Sequence, residues 1–195
     1  MFARTRRLTL RPGWPEDAAA LAAAIAHESV VMNLARVPWP YREADAAAFL
    51  ASPSDPRDVV FMIYAHEAAT PRLIGTIGVH IHGDAHEFGY WLTPDAWGRG
   101  YATEAGRAVI DIARHALPIR RLEAGYFADN PASGRVLRKL GFSDTGRREA
   151  RPSLARSGSV DAVVMELDVG ADRPSDRSLQ ARRADRLLTA VPIAA

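Results

Sequence analysis

A glycine-containing segment between a strand-like run and a patterned helix is the feature that most restricts how this chain can fold. The segment Trp97–Glu104 carries Gly98 and Gly100, which let the backbone turn tightly and let a ligand approach its amides. Apolar residues at helical spacing follow over Ala102–His115. The first turn of a helix leaves N–H groups without partners and holds the positive end of the helix dipole. This junction therefore predicts a binding site for a diphosphate.

The residue pattern alone leaves the identity of that diphosphate open. The sequence Gly98-x-Gly100-x-x-Thr103 nearly matches the dinucleotide-binding fingerprint, but its third glycine is missing and a strand meander precedes it instead of a βαβ unit. A Gly-Lys-Ser/Thr triphosphate loop is absent from the sequence. Short motifs also match by chance, so a plain turn before a helix remains an alternative interpretation.

The remaining patterns predict a mixed α/β fold. Three strand-like runs before the glycine segment indicate an antiparallel meander, and later strands alternate with helices, which is typical of a mixed sheet. We predict strands at Arg6–Arg11, Val59–His66, Arg72–Ile81, Glu87–Leu92, Arg121–Phe127 and Val160–Leu167, and helices from Pro15, over Arg42–Ala51, over Ala102–His115 and over Pro131–Leu140. A turn is expected at Gly83–Asp84 and a loop at Arg151–Ser157.

Composition divides the chain after Val169, where Asp, Arg, Pro and Ser become dominant. We expect one domain over residues 1–169 and a tail over residues 170–195 that is either disordered or forms a short helix. The tail arginines are diluted by acids and lack stacking aromatics, so we expect no binding to nucleic acid. The net charge of +2, from 25 basic and 23 acidic residues, is also too small to imply a polyanionic partner.

Cysteine usage and hydropathy exclude further classes of protein. The 195 residues contain no cysteine, which rules out disulfides, thiolate metal sites and a cysteine nucleophile. No apolar run approaches the roughly 20 residues of a membrane span, so we expect a cytoplasmic protein without membrane contact. Alternation places His80 and His82 on one face of a strand, with His86 nearby. No third ligand follows in a convincing order, so a surface position or the lining of a cleft is favoured over a metal site.

A second motif, Asn130–Phe142, places the first in a known family. It resembles the Asn-x-x-Ser…Lys-x-Gly-Phe helix of GNAT acetyltransferases, while Trp97–Glu104 resembles their acetyl-CoA pyrophosphate loop. Glu87–Leu92 is similar to the strand that precedes that loop. The three segments match in order and spacing, and the resemblance extends over about residues 7–168.

Within this superfamily the chain is most similar to the branch that contains the ribosomal-protein N-terminal acetyltransferases, the RimJ/RimL type. The similarity lies in Arg7–Arg11, in the Trp39–Pro40 loop and in Tyr90–Trp91. Trp97 departs from the family pattern, because many members carry Gln or Arg there. An aromatic residue at this position removes a side-chain donor towards phosphate.

The resemblance implies a GNAT-type mixed, mostly antiparallel sheet flanked by helices. Strands Glu87–Leu92 and Arg121–Phe127 would splay apart, and pantetheine would lie between them against the backbone near Trp91 and Leu92. On this basis we predict that acetyl-CoA, as co-substrate, binds to Trp91, Leu92, Trp97, Gly98, Arg99, Gly100, Tyr101, Ala102, Thr103 and Asn130.

The resemblance also nominates Glu87 and Ser133 as catalytic residues. Glu87 would deprotonate the acceptor amine through water, although a solvated carboxylate at a strand edge is an equal alternative. Glu149, a histidine or water are further candidates for the base. Ser133 would hydrogen-bond the leaving thiolate, and it would also cap the helix that it begins, together with Asn130.

The sequence leaves several classes of acceptor molecule possible. Deprotonating a lysine amine of pKa near 10.4 costs about 4–5 kcal/mol at pH 7, whereas an α-amine near 7.8 costs about 1, which favours a protein or peptide N-terminus. A small-molecule amine (an antibiotic, an amino acid or a polyamine) is the alternative, as is a non-catalytic acyl-CoA sensor. Trp14, Trp39 and Tyr41 would wall the acceptor pocket or pack in the core. A monomer and a homodimer both fit this interpretation.

Overall fold

A single mixed sheet forms the centre of the part of the chain that the structure describes, residues 1–52, 55, 58–67, 70–82 and 85–170. In this computed structural model, eight strands within the described residues are ordered β1-β2-β3-β4-β5-β6-β8-β7. They are β1 (Ala3–Arg4), β2 (Leu8–Arg11), β3 (Val59–Ala65), β4 (Arg72–His82), β5 (Ala85–Leu92), β6 (Arg121–Phe127), β7 (Ser143–Ser153) and β8 (Gly158–Asp168). Neighbouring strands pair antiparallel, except that β5 and β6 are parallel. The predicted mixed, mostly antiparallel sheet is confirmed.

The α-helices within the described residues cover both faces of the sheet. They are α1 (Ala18–Ile25), α2 (Glu28–Val31), α3 (Glu43–Ala51), α4 (Tyr101–Ala116) and α5 (Pro131–Lys139), and 3₁₀ turns lie at Pro15–Asp17 and Pro94–Ala96. Helix α4 buries residues three or four positions apart, as its sequence predicts: Tyr101, Ala102, Ala105, Gly106, Val109, Ile110 and Ala113. Gly141, at φ +95°, follows the end of α5, where a left-handed residue commonly stops a helix.

Strands β5 and β6 are paired at only one position. Their ladder consists of Glu87 opposite Glu123, whereas β5 pairs with β4 over eight positions and β6 pairs with β8 over seven. Beyond Glu87, the edge of β5 that faces β6 therefore has no strand partner within the described residues. Backbone N–H and C=O groups before Leu92 on that edge are therefore free of strand pairing and can bind another molecule. The splayed strand pair that the family resemblance implies is thus present.

The two faces of β5 belong to different hydrophobic cores. Phe88 and Leu92 are buried in the larger core with residues of α4 and α5. Trp91 packs instead against the smaller clusters formed by α1, α2 and α3. Side chains alternate between the two faces of a strand, so Glu87 and Gly89 lie on the same face as Trp91. This confirms the alternation expected along Glu87–Leu92.

Strand β7 is the largest element that sequence patterns do not predict. Most of its side chains are exposed, so no apolar alternation marks it. It is held by pairing with β8 alone among the described strands, with an irregularity between Asp144 and Arg148. The prediction of a loop over Arg151–Ser157 is wrong for Arg151–Ser153, which continue β7. The turn begins only at Leu154.

Other departures concern short or undescribed segments. Strand β1 and helix α2 have two and four residues, too few to leave a periodic pattern in the sequence. The predicted turn at Gly83–Asp84 and the predicted tail from residue 171 onwards lie outside the described residues. In the described part of the chain, no helix combines the length and the apolar character needed to cross a membrane.

Candidate active site

A cavity of about 1350 Å³ lies between β5 and β6 and reaches the N-terminal end of α4. On the other side of the sheet its wall includes Met32, Leu34 and Tyr41. The sequence-predicted site residues that line this cavity are Glu87, Trp91, Leu92, Trp97, Gly98, Gly100, Tyr101, Ala102, Thr103, Asn130 and Ser133. Arg99 does not line it. The fold thus brings the nominated residues together, while their roles stay predictions.

The glycine segment forms a tight loop that leads into the N-terminal end of α4. Gly98 and Gly100 lie at φ +71° and +80°, a conformation that costs a side-chain-bearing residue about 1–2 kcal/mol. The Glu104 N–H donates to the Gly100 carbonyl at 3.0 Å and closes the first turn of α4. The N–H groups of Tyr101, Ala102 and Thr103 precede that bond and have no helical partner. Amides of this kind bind anions well.

Arg7 holds the loop in place, and no sequence motif assigns it this role. Its Nη1 donates to the Arg99 carbonyl at 3.1 Å, and its Nε donates to Glu104 Oε2 at 2.8 Å. The Arg7 N–H and the Thr5 hydroxyl both donate to Glu104 Oε1, at 2.9 and 2.6 Å. Burial alone would raise the pKa of Glu104, but the hydrogen bonds from Thr5 and Arg7 outweigh it and lower the pKa below 4.5. The loop and the first turn of α4 are therefore tied to the segment before β2.

Three of the predicted cofactor residues have side chains engaged elsewhere. The Trp97 indole N–H donates to the Leu92 carbonyl at 2.8 Å, so it joins the end of β5 to the loop. The Arg99 guanidinium pairs with Glu67. The Tyr101 ring is buried, and the Arg7 guanidinium lies 4.5 Å from its centre. For Arg99 and Tyr101, a role in phosphate binding would rest on the backbone amide.

Two hydroxyl groups lie side by side, one from Tyr90 on β5 and one from Ser133 in the first turn of α5. The Tyr90 hydroxyl donates to Ser133 Oγ at 3.3 Å. Burial raises the pKa of Tyr90, with Ser133 opposing the shift, so the phenol keeps its proton at neutral pH. The Asn130 side chain accepts a hydrogen bond from the Ser133 N–H at 3.4 Å, which confirms Asn130 as the helix cap. The prediction that Ser133 begins and caps this helix is wrong, because α5 begins at Pro131 and Ser133 is its third residue. Sequence reasoning found Ser133 but used Tyr90 only as a mark of the branch.

Arg151 joins the two carboxylates that the sequence nominates as bases. From β7 its Nη1 pairs with Glu87 Oε1, and its Nη2 lies 3.2 Å from Glu149 Oε1. Gly125 in β6 makes room for it, because a Cβ there would lie 2.5 Å from the Arg151 Cζ. Burial alone would lower the pKa of Arg151, but its interactions with Glu87 and Glu149 outweigh burial and raise the pKa. Sequence reasoning missed Arg151 because it placed this residue in a loop.

His80 and Asp58 form a second pair on the same wall. His80 lies directly opposite Glu87 in the β4–β5 ladder, and both line the cavity. The His80 Nδ1 is 3.6 Å from Asp58 Oδ2, and Asp58 Oδ1 accepts a hydrogen bond from the Ile81 N–H at 2.8 Å. The expectation that His80 lines the cleft is confirmed, whereas the side chain of His82 lies outside the described part of the chain.

Of the three aromatic residues proposed for the acceptor pocket, Tyr41 lines the cavity. Trp14 and Trp39 do not line it. Trp14 is 46% exposed and stacks on the Arg11 guanidinium at 3.9 Å, while Trp39 is 39% exposed. Among the residues described, no group of three His, Asp or Glu side chains is arranged to hold a metal ion.

A splayed strand pair that ends at an amide-lined helix N-terminus defines a class of protein that binds an extended, diphosphate-bearing cofactor. The comparison with protein families makes the class specific. Residues 7–143 match the family model described as the acetyltransferase (GNAT) domain. The chain belongs to this family, whose members use acetyl-CoA.

Individual relatives agree with this assignment over different lengths. The uncharacterized N-acetyltransferase YoaA of Bacillus subtilis (strain 168) is 41% identical over 80 residues, or 40% of this chain. That match covers 45% of YoaA, so the chain spans less than half of the length of this curated relative.

Two solved structures show the same fold with ligands bound. RimL, a ribosomal L7/L12 α-N-protein acetyltransferase in complex with coenzyme A, is 17% identical with a TM-score of 0.72, covering 88% of this chain and 100% of RimL. The microcin C7 self-immunity acetyltransferase MccE, in complex with acetyl-CoA and AMP, is 18% identical with a TM-score of 0.70, covering 84% of this chain and 93% of MccE. At these identities the likeness is one of fold.

Proposed function

We propose that this protein transfers the acetyl group of acetyl-CoA to an amine. The observation that carries the proposal is the gap between β5 and β6, which leads directly to the left-handed Gly98–Gly100 loop. Gly98 and Gly100 both line the cavity, so the loop backbone is open to a ligand. These features fit a cofactor that is narrow along its pantetheine arm and anionic at its pyrophosphate.

The chain would supply three functions to the bound acetyl-CoA, which itself supplies an activated thioester. The loop amides and the first turn of α4 would hold the pyrophosphate. The free edge of β5 near Trp91 and Leu92 would align the pantetheine. The Ser133 hydroxyl, with the protonated Tyr90 beside it, would stabilise the sulfur as it leaves. A thiolate of pKa near 8.5 needs only hydrogen bonding of this kind to leave.

We further propose that the acceptor is the α-amine of a protein or peptide, as in the RimJ/RimL branch. The low cost of deprotonating an α-amine, about 1 kcal/mol at pH 7, supports this acceptor. The cavity extends to the α1–α3 side, where Met32, Leu34 and Tyr41 line it, and this extension would receive the acceptor. The fold likeness to MccE favours a second candidate, a small-molecule amine.

A panel of acceptors tests both proposals. Coenzyme A release is followed with a thiol reagent, and the assay has no protein background because the chain contains no cysteine. We expect turnover with peptides that carry a free N-terminus and none with the same peptides N-terminally blocked. Turnover confined to polyamines, aminoglycosides or amino acids would replace the peptide proposal. Tight acetyl-CoA binding without turnover on any amine would indicate a sensor.

Residues 1–169 are proposed to be the whole catalytic domain. The described core ends with Val169, whose N–H donates to the Arg120 carbonyl at 2.8 Å. A chain shortened after Gly170 is expected to keep kcat/KM within about twofold of the full chain. A loss of about tenfold would assign the last residues a part in catalysis or folding.

A further inference from the structure

We propose that His80, oriented by Asp58, is the general base that takes the proton from the acceptor amine. The proposal rests on the acetyltransferase function proposed above. Direct cross-strand partners in an antiparallel pair point to the same face of a sheet. His80 and Glu87 are such partners, so both face the α1–α3 side of the cavity. His80 therefore occupies the wall from which a base would reach the amine.

The two nominated carboxylates are both engaged by Arg151. Glu87 and Glu149 each pair with it, and a guanidinium keeps its charge at any physiological pH. The side chains of Arg151 and Glu87 are only 21% and 18% exposed, so water competes weakly for this pair. Glu87 lines the cavity and Glu149 does not. Glu87 is thereby committed to holding Arg151.

His80 faces a carboxylate instead of a guanidinium. Asp58 Oδ2 lies 3.6 Å from His80 Nδ1, and the Asp58 carboxylate is itself fixed by the Ile81 N–H. A carboxylate on the Nδ1 side favours the tautomer that carries its proton there, which would leave the Nε2 lone pair free to accept a proton. The charged groups that face His80 within the described residues are Asp58, which precedes β3, Glu87 on β5 and, through Glu87, Arg151 on β7.

The chemistry of the acceptor points the same way. An α-ammonium of pKa near 7.8 lies closer to a generic imidazole, near 6.5, than to a generic carboxylate, near 4.3, so proton transfer to an imidazole is the less unfavourable of the two. The His80 Nε2 would take one ammonium proton, and the nitrogen lone pair would then form the N–C bond as the C–S bond breaks. The electron pair of that bond leaves on sulfur. The second nitrogen proton passes to the thiolate, so the products are the amide, coenzyme A thiol and His80 imidazolium.

The decisive variant is His80→Gln, assayed in the full chain with acetyl-CoA and an acceptor peptide. We expect kcat/KM to fall by at least about 100-fold, the lower range for loss of a general base. The acidic limb that remains should be the one set by ionisation of the acceptor amine, near pKa 7.8, while acetyl-CoA affinity by calorimetry stays within about twofold. His86→Gln is the matched control. His86 precedes Glu87 on β5, its side chain lies on the opposite face of the sheet, and it does not line the cavity.

Asp58 acts as a positioning residue and has its own signature. Asp58→Asn should lower kcat/KM by less than His80→Gln does, because the imidazole stays in place but loses the carboxylate that orients it. Asp58→Glu should restore part of that loss. Glu87→Gln should keep the pH profile of the wild type.

Each outcome separates the proposals. A wild-type enzyme without turnover overturns the proposed function and this role with it. If the wild type is active and His80→Gln keeps its kcat/KM and its pH profile, the role of His80 alone is overturned. If Glu87→Gln instead keeps only the acidic limb of the acceptor amine, the base is Glu87.

Discussion

The two ends of the cavity, the proposed cofactor end and the proposed acceptor end, are built in different ways. The cofactor end is made of backbone: the positive φ of Gly98 and Gly100 and the unpartnered amides of the first turn of α4. The acceptor end is made of side chains that arrive from separate strands, with His80 from β4, Glu87 from β5 and Arg151 from β7. A backbone site is encoded by consecutive residues. A side-chain site depends on pairings that only the folded sheet creates.

The largest effect is expected from Gly100→Glu at the cofactor end. The substitution forces a side chain into a left-handed position and places a negative charge at the phosphate site. We expect acetyl-CoA affinity to fall by more than about 100-fold, or about 2.7 kcal/mol. Gly146→Glu is the matched control, because Gly146 has φ +76°, is exposed on β7 and does not line the cavity. Equal affinities of Gly100→Glu and the wild type would remove the phosphate site from this loop.

The helices behind the acceptor end depend on a buried ion pair between Arg11 and Asp17. Lowering the pH should remove its contribution to the free energy of unfolding. Arg11 Nη2 and the Tyr64 hydroxyl both donate to Asp17 Oδ1, at 2.7 and 2.8 Å. The hydrogen bond from Arg11 outweighs burial and lowers the pKa of Asp17 from 3.8 to about 2. A carboxyl group with a lowered pKa stabilises the fold fully above its unfolded value and loses that contribution as the pH falls through its folded value.

Asp17→Asn should therefore cost about 2 kcal/mol of unfolding free energy at pH 7 and much less near pH 2. Chemical denaturation across this pH range measures the difference. Glu16→Gln, at the exposed neighbouring position, should leave stability unchanged. A difference between Asp17→Asn and the wild type that does not narrow in acid would contradict the ionic origin of the stabilisation.

Arg151→Met tests whether the acceptor end is independent of the cofactor end. The pair with Glu87 is partly buried, so its loss should cost about 1–2 kcal/mol, between the values for exposed and buried pairs. Acetyl-CoA affinity should stay within about twofold, while turnover falls. Arg147→Met removes an exposed pair with Glu123 and should cost less than about 0.5 kcal/mol. A large loss of acetyl-CoA affinity in Arg151→Met would mean that the two ends of the cavity are not independent.

The smallest effect is expected from Arg7→Gln, which removes a long-range support of the backbone site. Loss of the bond to the Arg99 carbonyl and of the ion pair with Glu104 should weaken acetyl-CoA binding by about fivefold, or about 1 kcal/mol. Arg6→Gln, at the exposed adjacent position, serves as the control. Affinity equal to that of the wild type would mean that the loop keeps its shape without Arg7.

The same contrast explains what the sequence could predict. Gly98, Gly100 and Ser133 were found because each lies in a short motif whose geometry is local, and the mixed sheet follows from the order of periodic segments. Arg151 and Asp58 carry no local signal, since their partners Glu87 and His80 lie 64 and 22 residues away. Strand β7 is exposed and polar, so the pattern that would have placed Arg151 beside Glu87 is missing. Gly125 inside β6 was the one available clue, because a glycine within a strand often marks a close approach.

Calorimetric titration of the full chain with acetyl-CoA, with NADH and ATP as controls, tests the central claim most directly. The backbone site between β5 and α4 predicts selective binding of acetyl-CoA in the micromolar range. Binding too weak to measure, or equal binding of all three ligands, would contradict the assignment of this cavity to acetyl-CoA.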